Sequence, residues 1–291
     1  MIEMPLTNAA HRIRRIALGD LVYRTAKRFG ERTALVDGAQ RIRYDELDRR
    51  SSRLAHHLQK AVGAGQQVGM LCANSIDMVV ATHAIHKAGQ VWVPVNIKLD
   101  TSAIAYILEH AEVSAIVADE ALCAQSELAK VFDALKVPVL VAMAERAESI
   151  YGMTLAQAEA GQPHALPEVD IDGQQPAGHP KGVVHSHLSV YSAVMGNMVD
   201  FRYTERDVLS GWLPLFHCAQ HTLAATACAA GACVVLSRTF VPPEIAQLVV
   251  SEGMTVFVGL PMMYAAVLAD PAFRPTSLRQ CVYAMAPIPK T

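Results

Sequence analysis

The chain has 291 residues, of which 52% are hydrophobic and 18% charged, and its 25 basic and 27 acidic residues give a net charge of -2. This length and composition predict a globular protein with one large or two ordinary domains, and they exclude a disordered chain. Because no basic patch stands out, nucleic acid is not expected as a partner.

The predicted elements alternate between helix and strand from the start. Asp45 is placed to cap a first helix, whose apolar positions recur at close to helical spacing: Leu47, Leu54, Leu58 and Val62. A strand over Val68–Cys72 follows, and Asn74 or Ser75 can begin the next helix, which is expected to end at Gly89.

Further short apolar runs predict strands along the rest of the chain: Val91–Val95, Ser114–Ala118, Pro138–Ala142, Ala232–Leu236 and Thr255–Val258. The stretch Leu223–Leu236 is too short for the about 20 residues of a membrane helix and is interpreted as a buried helix followed by a buried strand. Strands alternating with helices of this length predict an α/β fold of βα units, with mostly parallel sheets covered by helices.

The segment from Gly161 to Pro180 is rich in Gly, Pro and acidic residues, and no strand is expected within it. It is interpreted as a surface linker between two lobes. The first lobe is expected to end near residue 165 and the second to begin near residue 181.

Cysteine spacing and the N-terminus bear on the cellular compartment. The cysteines show no CxxC pair, which is typical of reduced thiols in a core: Cys72, Cys123, Cys218, Cys228, Cys233 and Cys281. Arginines near the N-terminus are not followed by the apolar segment of a secretory signal. We therefore expect a cytoplasmic protein without a transmembrane segment.

Two glycine-containing segments are candidates for phosphate binding. Gly63, Gly65 and Gly69 precede a strand, whereas the dinucleotide fingerprint follows one, so a tight turn is the better interpretation and a nucleotide-cofactor dehydrogenase is disfavoured. In the second segment, Gly178, Lys181 and Gly182 can offer backbone N–H groups and one ammonium to an anion. Alone, this second segment is also typical of an ordinary turn.

Two pairs of histidines could suggest a metal site. His83 and His86 lie three positions apart on one predicted helix, and His217 and His221 flank Cys218. Neither pair has an evident third ligand, so no metal site is predicted. His217 could be a hydrogen-bonded core histidine, but it follows an apolar, proline-containing loop, where functional residues concentrate.

Several segments, in order, resemble the adenylate-forming (AMP-binding) superfamily, in its acyl-CoA synthetase branch. The matching segments are IRYDELDRRSSRLAHHL from Ile42, HKAGQVWVPVN from His86, GHPKGVVHSH from Gly178, WLPLFHCAQH from Trp212, VGLPMMYAAVL from Val258 and CVYAMAPIPKT from Cys281. They resemble, in turn, the first helix, a second motif, the end of the phosphate-loop motif, the acyl-site motif, and the helix and strand that follow it.

The resemblance implies that a carboxylate attacks the α-phosphorus of ATP, that pyrophosphate leaves, and that a thiol such as coenzyme A then takes the acyl group. ATP, Mg2+ and coenzyme A are the implied cofactors of the parent family. It also implies a phosphate side at Gly178, Lys181 and Gly182, and an adenine and acyl wall at Ala284, Met285, Ala286 and Pro287. The implied substrate pocket includes Trp212, Phe216, His217 and Met263, with His217 beside the carboxylate and the nucleotide.

The sequence departs from the family pattern in two places. Ala177 runs directly into Gly178, without the strand and hydroxyl-rich half that normally open the phosphate loop. The residues to Thr291 include neither the family's magnesium-binding Tyr-Gly-x-Thr-Glu segment, nor its ribose-binding Asp, nor the lid with its catalytic Lys. Residues 15–291 are therefore interpreted as an incomplete adenylation N-terminal domain without the C-terminal lid.

The resulting expectation is a truncated AMP-forming acyl-CoA synthetase that is inactive alone, has no intact catalytic set and binds none of its cofactors tightly. Its expected partners are a small carboxylic acid and a possible separate chain that supplies the lid. Two alternatives remain open: a non-catalytic acyl- or nucleotide-binding or scaffold protein, and the product of a disrupted reading frame.

Overall fold

The protein is described from a computed structural model that covers residues 15–144, 151–178, 183–271 and 273–283. The helices are α1 Gly19–Phe29, α2 Tyr44–Val62, α3 Ile76–Lys87, α4 Thr101–His110, α5 Glu120–Cys123, α6 Ser126–Leu135, α7 Leu155–Glu159, α8 His187–Phe201, α9 Cys218–Ala230, α10 Pro242–Ser251 and α11 Pro261–Leu268. The strands are β1 Thr33–Asp37, β2 Gln40–Arg43, β3 Gln67–Leu71, β4 Val91–Pro94, β5 Ala115–Asp119, β6 Val139–Ala142, β7 Met153–Thr154, β8 Pro176–Gly178, β9 His185–Ser186, β10 Val208–Gly211, β11 Cys233–Leu236, β12 Val256–Gly259 and β13 Gln280–Tyr283.

The strands form two sheets, with the orders β13-β12-β10-β11-β1-β2 and β7-β6-β5-β3-β4-β8-β9. Neighbouring strands are parallel except in the β1–β2 and β8–β9 pairs. The predicted α/β class with mostly parallel sheets is confirmed. The Leu223–Leu236 stretch is indeed the end of helix α9 followed by β11.

The two sheets do not correspond to consecutive halves of the chain. β1 pairs with β11, so residues near the N-terminus complete the sheet that otherwise comes from residues 208–283. Conversely, β8 and β9 join the sheet built from β3 to β7. A division near residues 165 and 181 therefore differs from the division between sheets, because strand pairing is non-local and leaves no signal in linear composition.

Helix starts follow the sequence only in part. The prediction that Asp45 caps α2 is wrong, because Arg43 is the N-cap residue of this helix. Asp45 lies in the first turn of α2, where its carboxylate accepts hydrogen bonds from Arg43. There its negative charge still favours the helix N-terminus. Ser75 does cap α3, since its hydroxyl accepts from the backbone N–H of Met78 at 3.1 Å.

The segment after Gly161 contains a short strand, so the expectation of no strand was wrong. β8 pairs in parallel with β4 through Gly178 and Trp92, and in antiparallel fashion with β9. Pro176 is tolerated because it is the first residue of β8, where a missing donor costs least. The preceding segment is also packed against the protein, with Leu166 and Ile171 buried.

The largest cluster of buried residues draws on both sheets, and there α2 and α3 pack together beside a buried lysine. The ammonium of Lys87 is fully buried and bonds the Asp48 carboxylate at 2.6 Å, with the Ser51 and Ser52 hydroxyls at 2.8 and 2.9 Å. Burial lowers the pKa of Lys87, and the Asp48 carboxylate opposes that shift. Within the described ranges, no helix is both long and apolar enough to cross a bilayer.

Candidate functional site

The acyl-site residues expected from the sequence follow the carboxyl ends of adjacent strands. β13, β12 and β10 are neighbours in one sheet, and they end at Tyr283, Gly259 and Gly211. The loop after β10 carries the segment that contains Phe216 and His217, and the loop after β12 leads to Met263. Parallel strands end at one edge of the sheet, and ligands of open α/β sheets bind in the crevice outside that edge.

Asn74 fixes the loop after β10 from the other sheet. Its amide nitrogen donates to the carbonyls of Gly211 and Leu213 at 2.9 and 2.8 Å, and its oxygen accepts from the Leu215 N–H at 2.9 Å. The side chain is 5% exposed, so these bonds form in a largely desolvated setting. Asn74 therefore couples the end of β3 to the acyl-motif loop.

Trp212 lies beneath this loop as part of the core. Its indole is 4% exposed, donates from Nε1 to the Val258 carbonyl at 2.8 Å and meets the Phe257 ring edge-on at 4.6 Å between centroids. Trp212 therefore supports the crevice from below, whereas the partly exposed Phe216 and His217 lie nearer the surface.

His217 is the N-cap of α9. Its Nδ1 accepts from the Ala219 N–H at 3.3 Å and lies 3.8 Å from the Cys218 Sγ. Because Nδ1 acts as an acceptor, the neutral ring carries its proton on Nε2. That N–H can donate to a carboxylate oxygen at the mouth of the crevice, where the positive end of the α9 dipole also favours negative charge.

Met263 lies on α11, and its side chain is close to Gly259. A Cβ at Gly259 would come within 3.5 Å of the Met263 Cβ. The neighbouring Tyr264 hydroxyl lies 2.8 Å from the Phe257 carbonyl and 2.7 Å from that of Val282, which ties α11 to both β12 and β13. Met263 is thus held near the same sheet edge as Phe216 and His217.

The phosphate side is described only in part. A Cβ at Gly178 would lie 3.0 Å from the Trp92 carbonyl oxygen, so the close approach of β8 to β4 favours glycine at this position. Lys181 and Gly182, and the adenine-wall candidates Ala284, Met285, Ala286 and Pro287, lie outside the described residues. Gly178 alone, with its backbone engaged in the sheet, does not provide the charged donor set that a triphosphate needs.

Four histidines lie close together near Gly178, the described residue of the phosphate side: His83, His86, His187 and His221. The His86 ring lies 5.9 Å from that of His187 and 6.2 Å from that of His221, and His221 stacks on Trp92 at 4.4 Å. Burial lowers the pKa of His83 to about 3 and those of His187 and His221 to about 4, so these rings are neutral at pH 7.

No cluster of three His, Cys, Asp or Glu side chains suited to a metal ion occurs in the part of the chain that the structure describes.

The comparison with family models decides the assignment. The model described as "AMP-binding enzyme" matches residues 22–291, nearly the whole chain. The chain belongs to the AMP-binding enzyme family. A curated relative, the long-chain-fatty-acid–CoA ligase of Thermus thermophilus, is 31% identical over 271 residues, which cover 87% of this chain and 49% of that ligase. The mitochondrial malonate–CoA ligase of Xenopus laevis is 25% identical over 90% of this chain and 48% of its own length.

The chain also matches solved structures of ligases. It superposes on a long-chain-fatty-acid CoA ligase structure from Rhodopseudomonas palustris with a TM-score of 0.84 at 25% identity, over 94% of this chain and 71% of that one. ATP-bound MatB from the same organism shares the fold, with a TM-score of 0.79 at 22% identity over 93% and 55% of the two chains. The chain spans about half the length of the curated ligases that it matches.

Asn74 and Trp92 have structural roles that the sequence did not indicate: Asn74 was considered only as a start of the next helix, and Trp92 was given no role. Asn74 lies three residues after the end of the buried parallel strand β3, near a strand end where site residues of α/β folds are typical, so a signal was present. Trp92 lies inside the segment that resembles the second family motif, but its contact with His221 joins residues 129 positions apart. That pairing leaves no trace in local spacing.

Proposed function

We propose that this chain is the acid-binding part of an AMP-forming acid–thiol ligase whose substrate is a fatty or aromatic carboxylic acid. In the full reaction, the acid and ATP would form an acyl-adenylate and pyrophosphate, and coenzyme A would then take the acyl group. A small carboxylic acid is the proposed partner of the described residues.

One observation carries the proposal: the Phe216–His217 and Met263 segments lie together at the carboxyl edge of β10 and β12. This edge combines a partly exposed aromatic ring, a thioether and an imidazole N–H, which suits an acid with an apolar tail. Family membership and the long-chain-fatty-acid ligases among the relatives support the same substrate class.

Nucleotide binding is proposed to be weak. An apolar pocket gains affinity from area, at about 0.8 kcal/mol for each buried CH2. A triphosphate instead depends on a full set of charge-assisted hydrogen bonds. Residues 170–187 carry only the Gly-x-Pro-Lys-Gly end of the phosphate motif. We therefore propose that ATP, Mg2+ and coenzyme A belong to the complete ligase and are not bound tightly by this chain.

Isothermal titration calorimetry with dodecanoate, benzoate and ATP tests the proposal. Dodecanoate or benzoate should bind weakly to the wild-type chain, whereas ATP should give no measurable heat. Phe216→Asp should weaken acid binding at least tenfold, because it introduces a like charge beside the carboxylate and removes apolar area. Val199→Asp on α8, where the side chain is 75% exposed, is the matched control and should bind as the wild type does.

Two outcomes of the titrations would count against the proposal. Equal acid affinity in Phe216→Asp and the wild type would show that the acid does not bind in this crevice. Micromolar ATP binding without acid binding would favour the alternative of a nucleotide-binding protein.

Turnover is tested separately by acid-dependent exchange of labelled pyrophosphate into ATP. We expect the chain alone to show none, since positioning and lid closure carry most of such catalysis. Exchange above that of a Lys181→Ala variant would overturn the proposed inactivity.

A further inference from the structure

Asp119 is the last residue of β5 and the N-cap residue of α5, yet its carboxylate makes no capping hydrogen bond to that helix. An aspartate at an N-cap ordinarily accepts a hydrogen bond from the first turn of its own helix. Asp100, at the start of α4, shows that usual arrangement, since its Oδ1 accepts from the Ala103 N–H at 2.9 Å. The carboxylate of Asp119 therefore serves a contact other than capping.

That contact lies in the loop between β3 and α3. The Oδ2 atom of Asp119 accepts from the backbone N–H of Ala73 at 2.7 Å. The strand register brings the two residues together, because β3 and β5 are parallel with Leu71 opposite Ala118, so that both strands end side by side. Asp119 is only 6% exposed, and a short bond to a carboxylate in such a setting is a strong, charge-assisted one.

A buried carboxylate at this position has a cost. Burial raises the pKa of Asp119, and the hydrogen bond from the Ala73 N–H opposes that shift. Burying a charge costs free energy unless a partner compensates it, so a charge that does not cap its own helix is not expected here without another role. The contact with the loop before α3 supplies that role.

The bond to Asp119 fixes the residue before Asn74, and a second bond fixes the residue after it. Ser75 is held at the start of α3, where its hydroxyl accepts from the Met78 N–H at 3.1 Å. The backbone of Asn74 is therefore held on both sides. Its side chain extends to the other sheet and hydrogen-bonds the backbone of two loops there, at Gly211, Leu213, Leu215 and Ser237.

The loop after β10 receives this support next to the candidate acid site. The Oδ1 atom of Asn74 accepts from the Leu215 N–H at 2.9 Å, and Leu215 is followed directly by Phe216 and His217. A displacement of Asn74 would therefore move the backbone that carries both site residues.

We propose that Asp119 and Asn74 are positioning residues for the candidate acid site, which act together through the backbone of Ala73. Asp119, Ala73 and Asn74 form a relay from the end of β5 to the loop after β10. Neither Asp119 nor Asn74 touches the acid in this proposal. The effect of the relay on acid binding rests on the proposed function, whereas the relay itself is a property of the fold.

Amide hydrogen exchange followed by NMR tests the relay without a ligand, because Ala73 and Leu215 donate to side-chain acceptors within it. Asp119→Ala should speed exchange of both amides about tenfold, the equivalent of one lost hydrogen bond. Asn74→Ala should speed exchange at Leu215 by a similar factor and leave Ala73 protected. Asp119→Asn keeps an acceptor oxygen for the Ala73 N–H and should restore most of the protection at both amides.

Asp100→Ala is the matched control. It also removes an N-cap aspartate that accepts a backbone N–H, but its hydrogen bond stays within α4. Exchange at Ala73 and Leu215 should therefore equal that of the wild type. A general loss of stability would instead speed exchange at these amides in both aspartate variants.

Acid titrations of the same variants test the link to the site. Asp119→Ala should weaken dodecanoate binding about tenfold, Asp119→Asn should recover it, and Asp100→Ala should leave it unchanged. In the double variant Asp119→Ala/Asn74→Ala, the loss should be close to that of Asn74→Ala alone, because both residues act through one loop.

Three results would overturn the proposal. The first is an Ala73 amide that is unprotected in the wild type, a measurement that depends on no variant. The second is unchanged exchange at Leu215 in Asp119→Ala, and the third is unchanged dodecanoate affinity in that variant while the wild type binds the acid. If the wild type binds no acid, the proposed function fails, and the exchange pattern alone still decides the relay.

Discussion

The indole of Trp92 stacks on the imidazole of His221, with ring centroids 4.4 Å apart and an interplanar angle of 25°. Trp92 belongs to β4 in the seven-stranded sheet, whereas His221 lies on α9, one turn after His217. Trp92 also pairs with Gly178 in β8. The stack thus connects the helix that begins at the acyl-site motif with the strand next to the phosphate side.

Removal of the indole should separate these two regions. Trp92→Ala should lower the free energy of unfolding by about 3–5 kcal/mol, the usual cost of deleting a buried aromatic side chain. Trp92→Phe should cost far less, because the ring remains and the buried Nε1 of Trp92 has no hydrogen-bond partner in the described structure. Urea unfolding followed by far-UV circular dichroism measures both. Equal losses in the two variants would show that the stack itself contributes nothing.

The buried histidines predict a characteristic acid sensitivity of the whole fold. Burial lowers the folded-state pKa of His83 to about 3 and those of His187 and His221 to about 4, whereas the unfolded chain titrates near 6.5. The stability that these neutral rings contribute is complete above pH 6.5 and is lost as the pH falls toward 4. Each of these rings should then lower the free energy of unfolding by about 1.4 kcal/mol for every pH unit below 6.5.

Urea midpoints at pH 7.5, 6.5, 5.5 and 4.5 check this expectation. The midpoint should be level between the first two values and should fall steeply across the last two. A His221→Phe variant should take up one proton fewer on unfolding, so its free energy of unfolding should depend less steeply on pH below 6.5. The phenyl ring should keep the stack on Trp92. A wild-type midpoint that stayed level down to pH 4.5 would contradict the neutral, buried assignment.

The local architecture followed from the sequence wherever short-range patterns decide it. The alternation of apolar runs and helical periods placed β3, β5 and β11 to within a residue or two, and Ser75, one of the two residues predicted to begin α3, is its cap. Those features depend on burial and hydrogen bonding within a few residues. The acyl-motif residues were predicted from the resemblance to the family, and in the structure Phe216 and His217 follow the end of β10.

Long-range pairing could not be obtained in the same way. No local pattern indicates that β1 lies beside β11, or that a three-residue strand within a proline-rich segment pairs with β4 through Gly178. The meeting of His86, His187 and His221 has the same origin, since each lies on a different helix. Asp45 was assigned to a cap from its residue type, whereas the N-cap is Arg43, two residues earlier, and the Asp45 carboxylate accepts hydrogen bonds from the Arg43 side chain.

Two helical glycines should respond to alanine in opposite directions. A Cβ at Gly19, at the start of α1, would lie 2.6 Å from the Lys87 backbone nitrogen and 2.8 Å from its Cα, so α1 would have to move away from α3. Gly196, in the middle of α8, has no atom within 4 Å of the added Cβ. Gly19→Ala should cost about 1–3 kcal/mol from overpacking, and Gly196→Ala should gain about 0.5–1 kcal/mol from helix propensity.

Thermal unfolding of the two alanine variants at pH 7.5 is the measurement. A lower midpoint for Gly19→Ala together with a higher one for Gly196→Ala is expected. Stabilisation by both substitutions would show that α1 and α3 are not in close contact.

The carboxylate of Asp207 joins β10, β12 and β13 at the edge opposite the candidate site. Arg279 binds it through Nε and Nη2, each at 2.7 Å, and the Thr255 hydroxyl donates to it at 2.7 Å. Burial alone would raise the pKa of Asp207, but these hydrogen bonds outweigh it and lower the pKa to about 2. The stability that the Asp207 carboxylate contributes is therefore complete above its unfolded-state pKa near 3.9 and is lost as the pH falls through 2. This loss occurs at lower pH than the loss caused by the buried histidines.

Asp207→Ala should lower the free energy of unfolding by about 1–3 kcal/mol, because it leaves the Thr255 hydroxyl and the partly exposed Arg279 guanidinium without their shared acceptor. Arg206→Ala is the neighbouring control: its side chain is 87% exposed, and its contact with Glu205 should contribute less than about 1 kcal/mol. Guanidinium unfolding at pH 7.5 separates the two. Because β13 leads toward Ala284, Asp207→Ala should also weaken dodecanoate binding. Unchanged stability in Asp207→Ala would show that the hydrogen bonds of Asp207 do not hold β13 in place.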